Sequence, residues 1–405
     1  MSVRINYFES IVQRFPTWEE LSGHLESEGL RVVQGEEGLA VIRYVKGSGE
    51  DIFRSVVWDT QANRPLCVAP PRAKEGLPPL DKQLSATEDF VDGFMVNVWV
   101  GADGILRLAT RSQIGGTNLF YGPKTFGEMF ADAVVASPLK SMDALRDVLN
   151  EVRVDQKMAS VFASMVVQHP GHRIVALSPT PGMNVVHMGL VDEKGVVSIA
   201  ERATNWPQAF ARLQIPSYPV RNFSSEQEIQ DLLRKTSVQR GWRWQGLVFK
   251  DGQGGRWRIR TPTYQMMREL RGSESSAVDR FSRLRSQNQV MDYLKHYGED
   301  RELFWSFEQK LRARTADVLK AYVDVHKAHL VKFKELPVGF QPAIYLLHIL
   351  WRDELRPKGF TVRLQNAIEV VNRMRDFERV RLMNAEPYVA VAPSPEEPEK
   401  GQPHD

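Results

Sequence analysis

The feature that most constrains this chain is a change of hydrophobic period near residue 264. Before it, segments such as "NVVHMGLVDEKGVVSI" and "WRWQGLVFKDGQGGRWRIRTPTY" alternate apolar and polar residues, the period of a half-buried strand. After it, "AVDRFSRLRSQNQVMDYLKHYG", "DRELFWSFEQKLRARTADVLKAYVDVHKAHL" and "VRLQNAIEVVNRMRDFERVRLM" place apolar residues three and four apart, the spacing of an amphipathic helix. At 405 residues the chain exceeds what one core usually organises, so the change reads as a domain boundary. The expected organisation is a helical lead-in at 1–29, an α+β domain at 30–265, an all-α domain at 266–388 and a disordered tail at 389–405, where "VAPSPEEPEKGQPHD" is rich in proline and charge.

Local signals fill in this outline. Thr17 and Glu20 are spaced as a capping box ahead of a helix, and Thr125 is a second N-cap candidate. Gly35–Gly38, Gln61–Asn63, Gly101–Gly104, Asp192–Gly195 and Asp251–Gly255 read as turns between strands, residues 70–82 as a Pro-rich loop and residues 224–237 as a capped helix.

Composition excludes several classes. One cysteine, Cys67, permits neither an internal disulfide nor a cysteine-built zinc site. No apolar run approaches the ~18–20 residues of a membrane span. The N-terminus lacks a basic-then-apolar signal layout, so a cytoplasmic location is expected. The formal net charge is +3, but residues 251–390 carry 25 Lys and Arg against 18 Asp and Glu. That excess suits a phosphate-bearing partner and equally a set of solvated helix faces.

Five segments, in order, resemble the covalent nucleotidyltransferases, and most closely the phage-type ATP-dependent RNA ligases. They are "FRSVVWDTQANRPLCVAPP" (53–71), "FVDG" (90–93), "SMVVQHPGHRIV" (164–175), "WQGLVFKDG" (244–252) and "WRIRTPTY" (257–264). The wording "DG-MVNV" and "ATRSQIGG" also resembles proteins of large DNA viruses, which would place the chain in host cytoplasm or a virion. The resemblance covers about 30–265 and implies a nucleotidyltransferase domain with mixed and antiparallel sheets. It further implies ATP and Mg as cofactors, and a lysine that attacks the α-phosphate to form a lysyl-adenylate.

The same positions here lack that chemistry. The nucleophile position is Phe90, the first acidic position falls near Val166, and the Glu-Gly motif reads Gln245-Gly246. The two closing lysines are Arg258 and Arg260, which keep charge and add a phosphate-compatible fork. Candidate nucleotide- or phosphate-binding residues are therefore Arg54, Asp92, Gly93, Arg111, Gln245, Arg258 and Arg260, with no metal ligand set. Asp92-Gly93 reads equally as a turn between strands, and the arginines as surface ion pairs.

Three functions stay open: a degenerate binder of nucleotide or RNA ends, an active RNA ligase using a displaced lysine (Lys46, Lys74 or Lys82), and an assembly protein whose pocket is filled by Phe90 and Trp99. The helical domain is a candidate surface for a protein partner. "HPGHR" (169–173) is a weak metal motif, and Trp242 and Trp244 read as one packed face.

Overall fold

The structure, a computed structural model, describes residues 3–45, 51–79, 82, 84–200, 212–213 and 223–390. Lys46 and residues 391–405 of the expected tail lie outside the described residues. The chain divides into two compact units, 1–269 and 270–405.

The first unit begins with β1 (Val3–Ile5), α1 (Tyr7–Arg14), α2 (Trp18–Ser27), β2 (Leu30–Gln34), β3 (Leu39–Tyr44), β4 (Val56–Asp59) and β5 (Arg64–Val68). It continues through β6 (Lys74–Glu75), β7 (Leu84–Asp89), β8 (Phe94–Val100), β9 (Leu106–Ala109), α3 (Phe126–Ala136) and α4 (Met142–Asp155). Then come β10 (Ser160–Gln168), β11 (Gly182–Val191), β12 (Val197–Ile199), α5 (Glu226–Arg240), β13 (Gly246–Asp251) and β14 (Arg256–Arg260). From α6 (Pro262–Arg271) onward the described regular elements are all helical: α7 (Ala277–Ser286), α8 (Val290–His296), α9 (Arg301–His326), α10 (Gln341–Leu350), α11 (Leu364–Arg373) and α12 (Asp376–Asn384).

Three sheets make an α+β unit, two of them wholly antiparallel and one mixed. The largest has the order β1-β12-β11-β10-β8-β9 and is buried on both faces. Along β8, Val96, Val98 and Val100 point to a core shared with α3 and α4, while Trp99 points to the opposite core with Trp58 and Phe162. That period-two split is what a two-sided strand requires. The second sheet, β2-β3-β4-β5, packs into the same core as Trp99, under α1 and α2. The expected capping box of Thr17 with Glu20 forms, and Thr125, expected as an N-cap, caps its helix in a box with Glu128.

Two departures from the sequence reading matter. The stretch at 1–29 is not only helical, because β1 joins the large sheet beside β12. The Pro-rich loop contains β6, which runs parallel to β14 with Glu75 opposite Arg258. Neither strand has a local signal, since each exists only through its distant partner.

The third sheet, β6-β14-β13-β7, positions the site. Its residues Leu84, Leu247, Phe249 and Trp257 pack against Ile229 and Leu233 of α5. Its other face therefore carries the alternate residues: Glu88, Val248 and Arg258 in one cross-strand row, and Lys250 beside Arg256 in the next. Strands β7 and β8 are neighbours in sequence but belong to different sheets, so Phe90–Gly93 is where the chain crosses between them.

Candidate functional site

A cavity of about 240 Å³ lies at this crossover. Arg54, Phe90, Asp92, Gly93, Gln245, Arg258 and Arg260 all line it, so the fold gathers six of the seven predicted binding residues and the nucleophile position. Arg111 is the exception. It is exposed and lays its guanidinium over the Tyr44 ring at 4.8 Å, outside the cavity, because the segment after β9 turns toward β3. Arg256, Tyr264, Arg268 and Glu88 also line the cavity and were not anticipated. Arg256 had a legible signal: it shares the period-two parity of Arg258 and Arg260 in "RWRIR".

Asp92 is built into the fold. One carboxylate oxygen accepts the backbone N–H groups of Val175 (3.0 Å) and Ala176 (2.8 Å), and the other accepts the Tyr264 hydroxyl at 2.6 Å. Burial, with the adjacent carboxylate, pushes the Tyr264 hydroxyl well above its ordinary range and keeps it a donor. Gly93 is equally structural, since a Cβ there would come closer than 3.0 Å to the carbonyl oxygen of Val167 on β10. Gly246 has φ +137 and would drive a Cβ into the Ile259 carbonyl. The Asp-Gly and Gln-Gly pairs thus hold strands together at the cavity's rim.

The other two carboxylates of the wall are also engaged. Glu88 pairs with Lys250 at 2.8 Å, and Asp89 accepts from Arg240 (2.6 Å) and from the Trp244 indole (3.1 Å). Trp244 is consequently buried while Trp242 lies half-buried near Arg173 and Arg243, so the two tryptophans do not form one face.

The cationic side is less balanced. Arg258 and Arg260 share the exposed Glu75, at 2.7 and 3.5 Å, and both set their guanidinia beside the Phe90 ring. Among the described residues, Arg54 donates to the Pro70 carbonyl at 3.5 Å. Burial and the neighbouring cations Arg111, Arg258 and Arg72 hold Arg54 below its ordinary pKa. Arg256 is pushed down to about 10 by burial and by Arg54, against the pull of Glu88, and stays a cation at neutral pH. Among the described residues, five arginines and three carboxylates line the cavity.

The cavity does not suit a divalent cation. Its carboxylates are committed, Val166 and Gln245 add no anionic ligand, and no described group of three His, Cys, Asp or Glu side chains is arranged for a metal. In "HPGHR", His169 instead bonds Asp132 at 3.1 Å and accepts from Gly171 N, and His172 bonds the Phe120 carbonyl within an aromatic cluster. Among the described residues no lysine lines the cavity: Lys74 is exposed on β6, and exposed Lys82 contacts Gln253 at 3.5 Å. Trp99 is wholly buried in the core and does not reach the cavity, so it does not fill it.

No family model and no curated protein matches this chain. Among solved structures it is similar to an archaeal ATP-dependent RNA ligase in two forms. Form 1 is 14% identical with a TM-score of 0.39, covering 75% of this chain and 74% of that one. Form 2 is 14% identical with a TM-score of 0.37, covering 73% of each. Among the described residues, no helix is long and apolar enough to cross a membrane.

Proposed function

We propose that this chain is an RNA-ligase-like nucleotidyltransferase-fold protein that has lost lysyl-adenylate chemistry and binds a phosphorylated ligand, a nucleotide or a phosphorylated RNA end, without covalent attachment. One observation carries the reading: the arginines of β14 and Arg54 converge on a cavity beside Phe90, and among the described residues no lysine lines its wall. Guanidinia bind phosphate oxygens by charge-assisted hydrogen bonds, and a wall of them favours a dianion over a neutral ligand. Phe90 contributes a ring where an attacking amine would be needed, and a ring has no lone pair to attack phosphorus.

The test is binding of a labelled RNA oligonucleotide with and without a 5′-phosphate, at low and moderate salt. The expected result is phosphate-dependent binding at micromolar concentrations that weakens as salt rises and is lost in an Arg258→Ala/Arg260→Ala double variant. Equal affinity for phosphorylated and unphosphorylated RNA, or no binding of RNA, AMP or ATP, sinks the proposal.

A further inference from the structure

The helical unit holds two histidines in face contact. His326, in the last turn of α9, and His348, in the last turn of α10, stack with ring centres 4.0 Å apart and planes within 12°. They meet where α9 and α10 pack together, beside the Tyr322 ring. Nε2 of His326 and Nδ1 of His348 are both buried without a hydrogen-bond partner. Other buried nitrogens of the chain lack partners too, but these two belong to rings in direct contact. As stacked, the pair is not a chelate. A metal ion lies near the plane of each imidazole that holds it, and two stacked, nearly parallel planes share no such point.

The chemistry left to the pair is protonation. A neutral imidazole carries one N–H, so the buried nitrogen of His326 can hold the lone pair while the other nitrogen holds the proton. A second proton must go to the buried nitrogen, where no acceptor waits. Burial first, then the neighbouring His348 and His329, holds His326 below its ordinary pKa. The helix end pulls the other way, since the last turn of α9 favours a cation.

The surrounding groups do not offset the burial. The Tyr322 ring lies 5.0 Å from His326, and burial pushes its hydroxyl up to about 12, so it keeps its proton. Across the seam Trp351 lies 5.4 Å from His348, with Arg356 over its ring at 5.4 Å. Asp324 accepts the Tyr388 hydroxyl at 2.9 Å, and Asp353 pairs with Arg352 at 2.6 Å. Lys327, His329, Tyr345 and Glu354 are exposed. Among the described residues no carboxylate bonds either ring. Directly after α10, Trp351–Leu355 forms a π-helical turn, a rare form that occurs mostly as single turns and frequently at functional sites.

We propose that this stack is an acid-released latch: while His326 is neutral it closes the seam between α9 and α10, and a proton on His326 opens that seam together with the π-helical turn. Protonation needs the buried nitrogen to regain water, so taking up the proton and parting the rings are one event. The closed form has the lower pKa, so the latch is fully closed above the ordinary histidine value of about 6.5 and weakens as pH falls below it.

Hydrogen–deuterium exchange of the full chain at pH 7.5 and pH 5.5, each rate divided by the intrinsic rate at that pH, tests this. Amides of 320–326 and 344–355 should lose protection about tenfold or more at the lower pH, while those of α7 and α12 keep theirs. His326→Phe, which keeps a ring but takes no proton, should remove the acid response. His348→Phe should retain it, because His326 still titrates. Equal protection of the native seam at the two pH values overturns the proposal. So does a loss spread evenly through the helical unit, and so does an undiminished response in His326→Phe. Long-range proton–nitrogen NMR of the native chain needs no variant. A His326 ring that takes its proton at or above about pH 6.5 overturns the latch, and one that takes it below that value supports it.

Discussion

Arg260 holds its guanidinium carbon 5.0 Å from the centre of the Phe90 ring, and Arg258 stands 5.8 Å from the same centre. Phe90 thus serves as an aromatic rest for the two cations of β14. Each contact of this type is worth ~0.5–2 kcal/mol. An amine there would exchange that attraction for repulsion between like charges.

Phe90→Lys is therefore expected to lower the thermal midpoint and to gain no covalent nucleotide. Incubation with radiolabelled ATP and magnesium or manganese, followed by denaturing electrophoresis, checks the second point. A label that survives denaturation would show that the rest of the cavity supports adenylyl transfer and would contradict the proposed loss of that chemistry.

Removing Asp92 should damage the fold before it affects any ligand. Asp92→Ala strands two backbone N–H groups and the Tyr264 hydroxyl, for an expected loss of ~3–5 kcal/mol. Tyr264→Phe removes one hydrogen bond and should cost about 1 kcal/mol. Urea unfolding of both variants measures the difference; equal, small losses would mean that Asp92 is held by solvent instead.

Glu75 pairs with both Arg258 and Arg260 and its side chain is 59% exposed, so on the proposed phosphate-binding reading it would compete with the ligand. Glu75→Gln should tighten binding of a phosphorylated ligand by about threefold, in line with the modest value of an exposed ion pair. Arg258→Ala should weaken it. Opposite signs for these two variants in one titration place the anion at β14; the same sign for both places it elsewhere.

His187 makes stability depend on pH. Its pKa is depressed in the folded state, so the unfolded chain binds the proton more readily. The stability it allows is complete above the ordinary histidine value of about 6.5 and is lost as pH falls through it. The thermal midpoint should therefore drop between pH 8 and pH 5.5, and drop less in His187→Phe. His326 is also depressed, mainly by burial, but the variant leaves it in place, so the difference isolates His187. Parallel curves for the two proteins would contradict a buried neutral imidazole.

Much of the architecture is legible in local pattern. Alternation marks β10, β11, β13 and β14, and the Thr-x-x-Glu spacing marks the starts of α2 and α3. What is not legible is membership. Strands β7 and β8 flank four residues of sequence and enter different sheets, a fact set by partners at 246–251 and 160–168. The candidate site shows the same division. Arg258 and Arg260 could be read as a same-face pair, yet Arg256, on that face too, is tied to the cavity only by the packing of β14. Asp92 looked like a ligand-facing residue because its partners, Val175, Ala176 and Tyr264, are remote in sequence.

The pairing of β7 with β13 also has a consequence in time. During synthesis β7 leaves the ribosome roughly 160 residues ahead of β13, which at ~5–20 residues per second is an interval on the order of ten seconds or more. Through that interval β8 can already meet β9 and then β10, while β7 has no partner strand. Its sequence, Leu-Ser-Ala-Thr-Glu-Asp, suits the wait: it is largely polar and closes on two acids, the kind of segment that resists pairing with another nascent chain. The arginines of β14 are thus among the last residues of their unit to be made, and a ribosome stalled before residue 250 would carry β7 without the β13 strand it pairs with.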